Sequence, residues 1–192
     1  GMKKEKEQYK KLIRSIIVIL LVACETIIFM HYWINIYNKY TVFPFFQKGH
    51  WMMAAMYIIY QIIFLYIFGG LKVGYLKKAN IIFSQVLAML GSNVIIYLQI
   101  VLLSVRFVNI VPMMKATLVD ICVVVIVAII SESIFRKLFP PRELIVLYED
   151  YDPDEFIKKM NSRKDKYIIK QKLNVSDGLD KIKKDIIQSP GV

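Results

Sequence analysis

Apolar residues fall into four long runs along the N-terminal part of the chain, then into shorter patterned stretches separated by charge. The runs cover residues 12–37, 51–70, 81–105 and 113–135. Each approaches or exceeds the ~20 residues that a helix needs to cross ~30 Å of hydrocarbon. In lipid a backbone N–H or C=O finds no water, so its hydrogen bond must be made internally and a helix is the expected form. The pattern therefore predicts a membrane α-helical protein. A four-transmembrane-helix bundle occupies residues 1–138, and a different, cytoplasmic domain occupies 139–192.

The second region reads differently. Phe139-Pro140-Pro141 ends the fourth run, because two prolines stop a helix and stiffen the exit. Residues 143–148, Glu-Leu-Ile-Val-Leu-Tyr, read as a short buried strand. Asp152-Pro153-Asp154-Glu155 is a helix start: Asp152 caps, proline suits the first helical position and Glu155 completes a capping box. Phe156, Ile157 and Met160 form that helix's apolar face. Residues 167–175 read as a second strand. Ser176 or Asp177 is placed to cap a second helix, with Leu179, Ile182 and Ile186 on one side. Strand, helix, strand, helix is the start of a Rossmann-like α/β domain. Two short parallel strands cannot make a stable core, since a parallel sheet needs both faces covered. The expectation is that a longer protein, or a partner, completes the sheet.

Charge orients the bundle. The chain carries a formal net charge of +11, with 57% apolar residues and a mean hydropathy of +0.49. Soluble domains sit nearer 45–50% apolar. Lys3, Lys4, Lys6, Lys10, Lys11 and Arg14 precede the first run, Lys72, Lys77 and Lys78 lie between the second and third, and Arg136, Lys137 and Arg142 follow the fourth. The other two loops offer only Lys39 and Lys48, then Arg106 and Lys115. The positive-inside rule then puts both termini and the middle loop in the cytoplasm. Tyr32, Trp33, Tyr37, Tyr40 and Trp51 cluster at the first outer loop, as an interfacial aromatic belt would. The lipid bilayer accounts for the basic balance, and no basic stripe interleaved with aromatics points to nucleic acid. The first run is too long for a signal-peptide core and no small-residue cleavage site follows it. Gly1 ahead of Met2 reads as a remnant of cloning.

Candidate chemistry is sparse. Cys24 and Cys122 both lie inside apolar runs and read as small packing residues. The turn Glu149-Asp150-Tyr151-Asp152-Pro153 has three acids and no glycine where a dinucleotide-binding unit carries G-x-G-x-x-G, so it would repel a phosphate. The acids Glu149, Asp150, Asp152 and Asp154 lack calcium-loop spacing and read as solvated capping residues. His31 and His50 fall near the outer membrane face, where loop or snorkelling roles are expected. Arg106 and Lys115 read as snorkelling charges. No catalytic, cofactor-binding or metal-ligating set can be assigned.

The informative polar residues lie within the runs. Glu25 is about twelve residues into the first, about 18 Å from the cytoplasmic face at 1.5 Å per residue. Gln61, Asn93 and Asp120 fall at a similar level in the second, third and fourth. These four form an intramembrane polar layer. Interhelical hydrogen bonding with at least one acid protonated is one reading, and a proton or ligand role is the other.

The layout also resembles a known family. Four spans, the exit Phe139-Pro140-Pro141-Arg142, the strand 143–148, then a helix leading into Ser162-Arg163-Lys164-Asp165-Lys166-Tyr167 and a second strand look like the N-terminal part of the large bacterial polyprenyl-phosphate glycosylphosphotransferases. These are the initiating sugar transferases of exopolysaccharide and capsule synthesis. The resemblance implies a membrane anchor, homo-oligomerisation and a Rossmann-like domain. It also implies a C-terminal catalytic domain, outside this sequence, with an Asp-Glu dyad and magnesium. That domain would move a sugar phosphate from a UDP-sugar to undecaprenyl phosphate. None of the dyad positions can be matched here, so none is transferred. Two other expectations stay open: a stand-alone small membrane protein that binds a partner through its unfinished sheet, and a small transporter using the polar layer.

Overall fold

The computed structural model describes residues 1–74, 76–140, 142–148, 154–161, 167–174 and 178–188. The chain divides into two compact units, Gly1–Glu132 and Ser133–Val192. Four helices are long and apolar enough to cross a membrane: α1 (Met2–Asn35), α2 (Gln47–Phe68), α3 (Lys78–Ser104) and α4 (Val111–Leu138). Each extends past its apolar run, α1 most of all, because the charged segment from Met2 to Lys11 continues the helix outward from the first run. Only 22–33% of each helix's most apolar window is buried. Ile27, Leu118 and Ile19 are instead exposed on the bundle's outer face, where a bilayer would take them up.

The connections are short and specified. α2 stops at Phe68 because Gly69 turns left-handed, φ 77°, and the Gly70 amide reaches back to the Leu65 carbonyl at 2.8 Å. This is the usual glycine-terminated helix end. α3 stops at Ser104 with Val105 at φ 55°. A β-branched residue is sterically disfavoured there. Between α1 and α2 runs a 3-10 turn, Tyr37–Tyr40, followed by an extended loop. The Asn38 side chain fixes that loop: its Oδ1 accepts from the Phe45 amide at 2.7 Å and its Nδ2 donates to the Phe45 carbonyl at 3.0 Å.

At the opposite end of the bundle, the Arg14 Nε donates to the Val73 carbonyl at 2.8 Å, and Lys78 pairs with Glu132 at 3.2 Å. The basic start of α1, the α2–α3 loop and the end of α4 thus meet at one end. The expected aromatic belt is divided. Trp51 is 77% exposed, whereas Trp33 and Tyr37 are fully buried with Phe29, Met53, Tyr57, Ile96 and Ile100. These aromatics are core, because their positions face α2, α3 and the start of α4 rather than lipid. A second, smaller cluster of Val22, Leu65 and Ala88 lies on the other side of Glu25.

In the second unit, β1 (Arg142–Tyr148) pairs in parallel with β2 (Tyr167–Asn174), with a register irregularity between Leu144 and Ile145. Between them lies α5 (Asp154–Asn161), and after them α6 (Leu179–Ile187). Gly178 occupies the α6 N-cap, with no side-chain cap bond, in place of the expected Ser176 or Asp177. Those two, and the acids Glu149, Asp150 and Asp152 with the capping box they would start, lie outside the described residues. The expected apolar faces are only partly covered: Ile182 is 8% exposed, but Phe156 is 54% exposed and Ile186 is 40%.

Candidate functional site

The polar layer resolves into two linked pairs. Glu25 of α1 accepts at Oε2 from the Gln61 Nε2 of α2 at 2.8 Å, and Asp120 of α4 accepts at Oδ2 from the Asn93 Nδ2 of α3 at 3.1 Å. All four side chains are buried, at 1–4% exposure. Helical periodicity explains how. α1 buries Leu21, Val22, Glu25, Phe29 and Trp33, spaced three or four apart, so Glu25 falls on the same inward stripe as the aromatics. α4 buries Met113, Ala116, Asp120, Val124 and Ala128 by the same rule.

Three hydroxyls complete the network, and the apolar-run reading passes over them. Tyr57 donates to the Asn93 Oδ1 at 2.6 Å. The Asn93 Nδ2 also lies 2.9 Å from the Thr117 Oγ1, which itself donates back to the Met113 carbonyl at 2.9 Å. Thr26 donates to the Val22 carbonyl at 2.7 Å and approaches the Gln61 Oε1 at 3.3 Å. Such back-bonding lets a hydroxyl sit within an apolar helix without a free donor. Helical spacing carries a signal for two of them: Tyr57 is one turn before Gln61, and Thr117 one turn before Asp120.

One oxygen of each acid stays bare. Glu25 Oε1 and Asp120 Oδ1 are buried without a hydrogen-bond partner. Among the described residues neither carboxyl meets a cation: Glu25 bonds to Gln61 and Asp120 to Asn93. The two acids do interact electrostatically with one another, and Tyr57 with both. The network is thus rich in acceptors and short of positive charge. Two further buried acceptors without partners, Gln85 Oε1 and Ser104 Oγ, belong elsewhere in the sequence of helices; Gln85 spends its amide on the Gly70 carbonyl at 3.2 Å.

The other candidates scatter. His50 lies in the first turn of α2, where its Nδ1 accepts from the Trp33 indole at 3.0 Å, so it acts as a fixed acceptor for a buried tryptophan. The Asn35 Nδ2 lies 3.2 Å from the His31 Nδ1 and donates to the His31 backbone carbonyl at 2.8 Å. The Arg106 guanidinium rests 5.5 Å from the centre of the Tyr40 ring, a cation–π contact. Cys122 is exposed on the bundle surface and Cys24 is half-buried, so Cys122 does not pack in the core as expected. Among the described residues no three His, Cys, Asp or Glu side chains are grouped to hold a metal ion. Comparison with known proteins returns no matching family model, no matching curated protein and no matching solved structure.

Proposed function

We propose that the chain is the membrane-anchoring and regulatory N-terminal part of a bacterial sugar transferase. The whole enzyme would move a sugar phosphate from a UDP-sugar to undecaprenyl phosphate, with release of UMP. The observation that carries this reading is the order of parts. Four helices able to span a bilayer are followed at once by β1, α5, β2 and α6, with β1 and β2 paired in parallel. A strand–helix–strand unit of that kind is how a Rossmann-like domain begins.

In this reading the bundle lies in the bacterial plasma membrane with both termini in the cytoplasm. The basic end that gathers Arg14, Lys78 and the close of α4 faces inward, as the positive-inside rule asks. The helices hold the enzyme at its lipid substrate and pair with those of a second copy. Catalysis and magnesium belong to a C-terminal domain beyond these residues. The described residues offer no group to hold the metal, and no step is assigned to them.

A second reading rests on the small α/β unit. Leu147 is 52% exposed, Phe156 54% and Ile187 81%. A partner chain adding a strand to the β1–β2 edge would cover such side chains and complete the sheet. A small transporter built on the polar layer is the third.

The native gene read beyond the codon for Val192 separates them. An open frame encoding a basic domain with an Asp-Glu pair, and UMP release from a UDP-sugar by membranes carrying the whole product, supports the transferase. A stop codon at that point overturns it and favours a partner.

A further inference from the structure

Two carboxyl oxygens within the bundle are bare. Glu25 Oε1 and Asp120 Oδ1 belong to side chains 2% and 1% exposed, and neither has a hydrogen-bond partner. A buried polar atom left without a partner is uncommon in a native structure and calls for a reason. Two bare carboxylates in a lipid-embedded core are costlier still, because no water solvates them and like charges repel.

The surroundings cannot supply the missing charge. The titratable groups facing the site are Glu25 from α1, Tyr57 from α2 and Asp120 from α4, while α3 contributes the Asn93 amide. Among the described residues no Lys, Arg or His bonds to either carboxyl. The amide donors are already used: the Gln61 Nε2 on Glu25 Oε2, the Asn93 Nδ2 on Asp120 Oδ2 and Thr117. Tyr57 gives its hydrogen to Asn93 Oδ1. The two amides each reach one oxygen of one acid, and no donor among the described residues reaches the other oxygen of either.

We propose that Glu25 and Asp120 form a built site for a single monovalent cation, a proton or Na+, held at the bare oxygens inside the four-helix bundle. One positive charge gives both oxygens an electrostatic partner. It leaves the pair with one net negative charge, against which the Gln61 and Asn93 amides are oriented. A proton would come from solvent and convert one carboxylate to a carboxylic acid. A sodium ion would leave both ionised and draw on the Tyr57 hydroxyl oxygen as a neutral ligand. This inference is independent of any transferase activity.

The test is infrared spectroscopy of the full chain in phospholipid nanodiscs at neutral pH, with Na+ exchanged for choline at constant ionic strength. The carbonyl stretch of an un-ionised carboxyl reports a bound proton. Brief exchange into D2O separates the buried pair from exposed acids, because the carbonyl band of an exposed carboxyl shifts at once and that of a buried one does not. One un-ionised carboxyl per chain in both buffers identifies the proton. A band seen only in choline, with a lower Tm there than in Na+, identifies sodium. Glu25→Gln and Asp120→Asn each supply a neutral partner, so either variant loses the band and the Na+ dependence. Should both variants fail to fold, the wild-type spectra decide alone. Two un-ionised carboxyls per chain, or none with no response to Na+, overturns the proposal.

Discussion

The Tyr37 hydroxyl joins the start of α4 to the 3-10 turn that follows α1: it accepts from the Met113 amide at 2.8 Å and donates to the Asn109 carbonyl at 2.8 Å. Met113 lies in the first turn of α4, where backbone N–H groups have no partner within the helix. A side chain from 76 residues away therefore acts as its cap. Tyr37→Phe keeps the ring in the core and strands both backbone groups. The expected loss is about 1–3 kcal/mol, read as a lowered Tm of the protein in nanodiscs, with little change in helix content by circular dichroism. An unchanged Tm would mean that water replaces the hydroxyl.

Asn93 is the hub of the polar layer, touching Tyr57, Thr117 and Asp120. Asn93→Ala leaves a buried phenol and a buried carboxyl unpartnered. Interhelical hydrogen bonds in membranes average about 0.6 kcal/mol and reach about 1.7. With all three lost and the Tyr57 and Asp120 groups still buried, a destabilisation of roughly 1–3 kcal/mol is expected. Thermal or denaturant unfolding in mixed micelles measures it. Thr117→Val, which removes a half-buried contact, should cost clearly less.

Val105 is the one described non-glycine residue with positive φ, at 55°, and its side chain is 80% exposed. Replacing it removes a steric penalty of about 1–2 kcal/mol and sacrifices no packing. Val105→Gly should raise stability by roughly 0.5–1 kcal/mol, the difference being the greater freedom of glycine in the unfolded chain. A lower Tm for this variant would show that Val105 makes an apolar contact with lipid worth more than its strain.

The Lys78–Glu132 pair is 3.2 Å long, yet its side chains are 45% and 26% exposed. Exposed ion pairs contribute about 0–1 kcal/mol and weaken with salt. Lys78→Ala should shift Tm by a degree or two at most, and less at high ionic strength. A large, salt-insensitive loss would place the pair inside the membrane rather than at its edge.

Orientation is read by labelling. In a chain freed of cysteine by Cys24→Ala and Cys122→Ala, Phe43→Cys sits on a loop residue 81% exposed, and Lys77→Cys sits at the other end. With the basic end in the cytoplasm, an impermeant maleimide reaches position 43 in intact cells and position 77 only after permeabilisation. The reverse pattern would invert the topology.

The four helices are legible in the sequence because lipid leaves little freedom: an apolar run of span length has one way to satisfy its backbone. The pairing of polar residues is less so. Glu25, Gln61, Asn93 and Asp120 can be placed at one depth by counting residues, but depth does not say which faces which. That follows from helix rotation, set by Phe29, Trp33 and Tyr57 packing between helices. Tyr37 shows the same gap. Its position next to a loop suggests an interfacial aromatic, and only the fold brings Met113 to its hydroxyl. Gly178 replaces Ser176 and Asp177 as the α6 cap because the helix begins later than its capping residues imply.

The unequal filling on the two sides of Glu25 has a directional consequence. Toward the α1–α2 loop, the carboxyl is sealed by Phe29 stacked on Tyr57, with ring centres 4.4 Å apart, and beyond them by Trp33 and Tyr37. Toward the basic end lie Val22, Leu65 and Ala88, with Val18, Ile58, Phe64 and Leu71 packed against them, and the polar Gln85, Ser92 and Ser131 are buried on α3 and α4. A water thread that reaches Glu25 and Asp120 would therefore form from the lysine-bearing end. The core is thus graded along its length, with aromatic rings at one end and buried polar groups at the other.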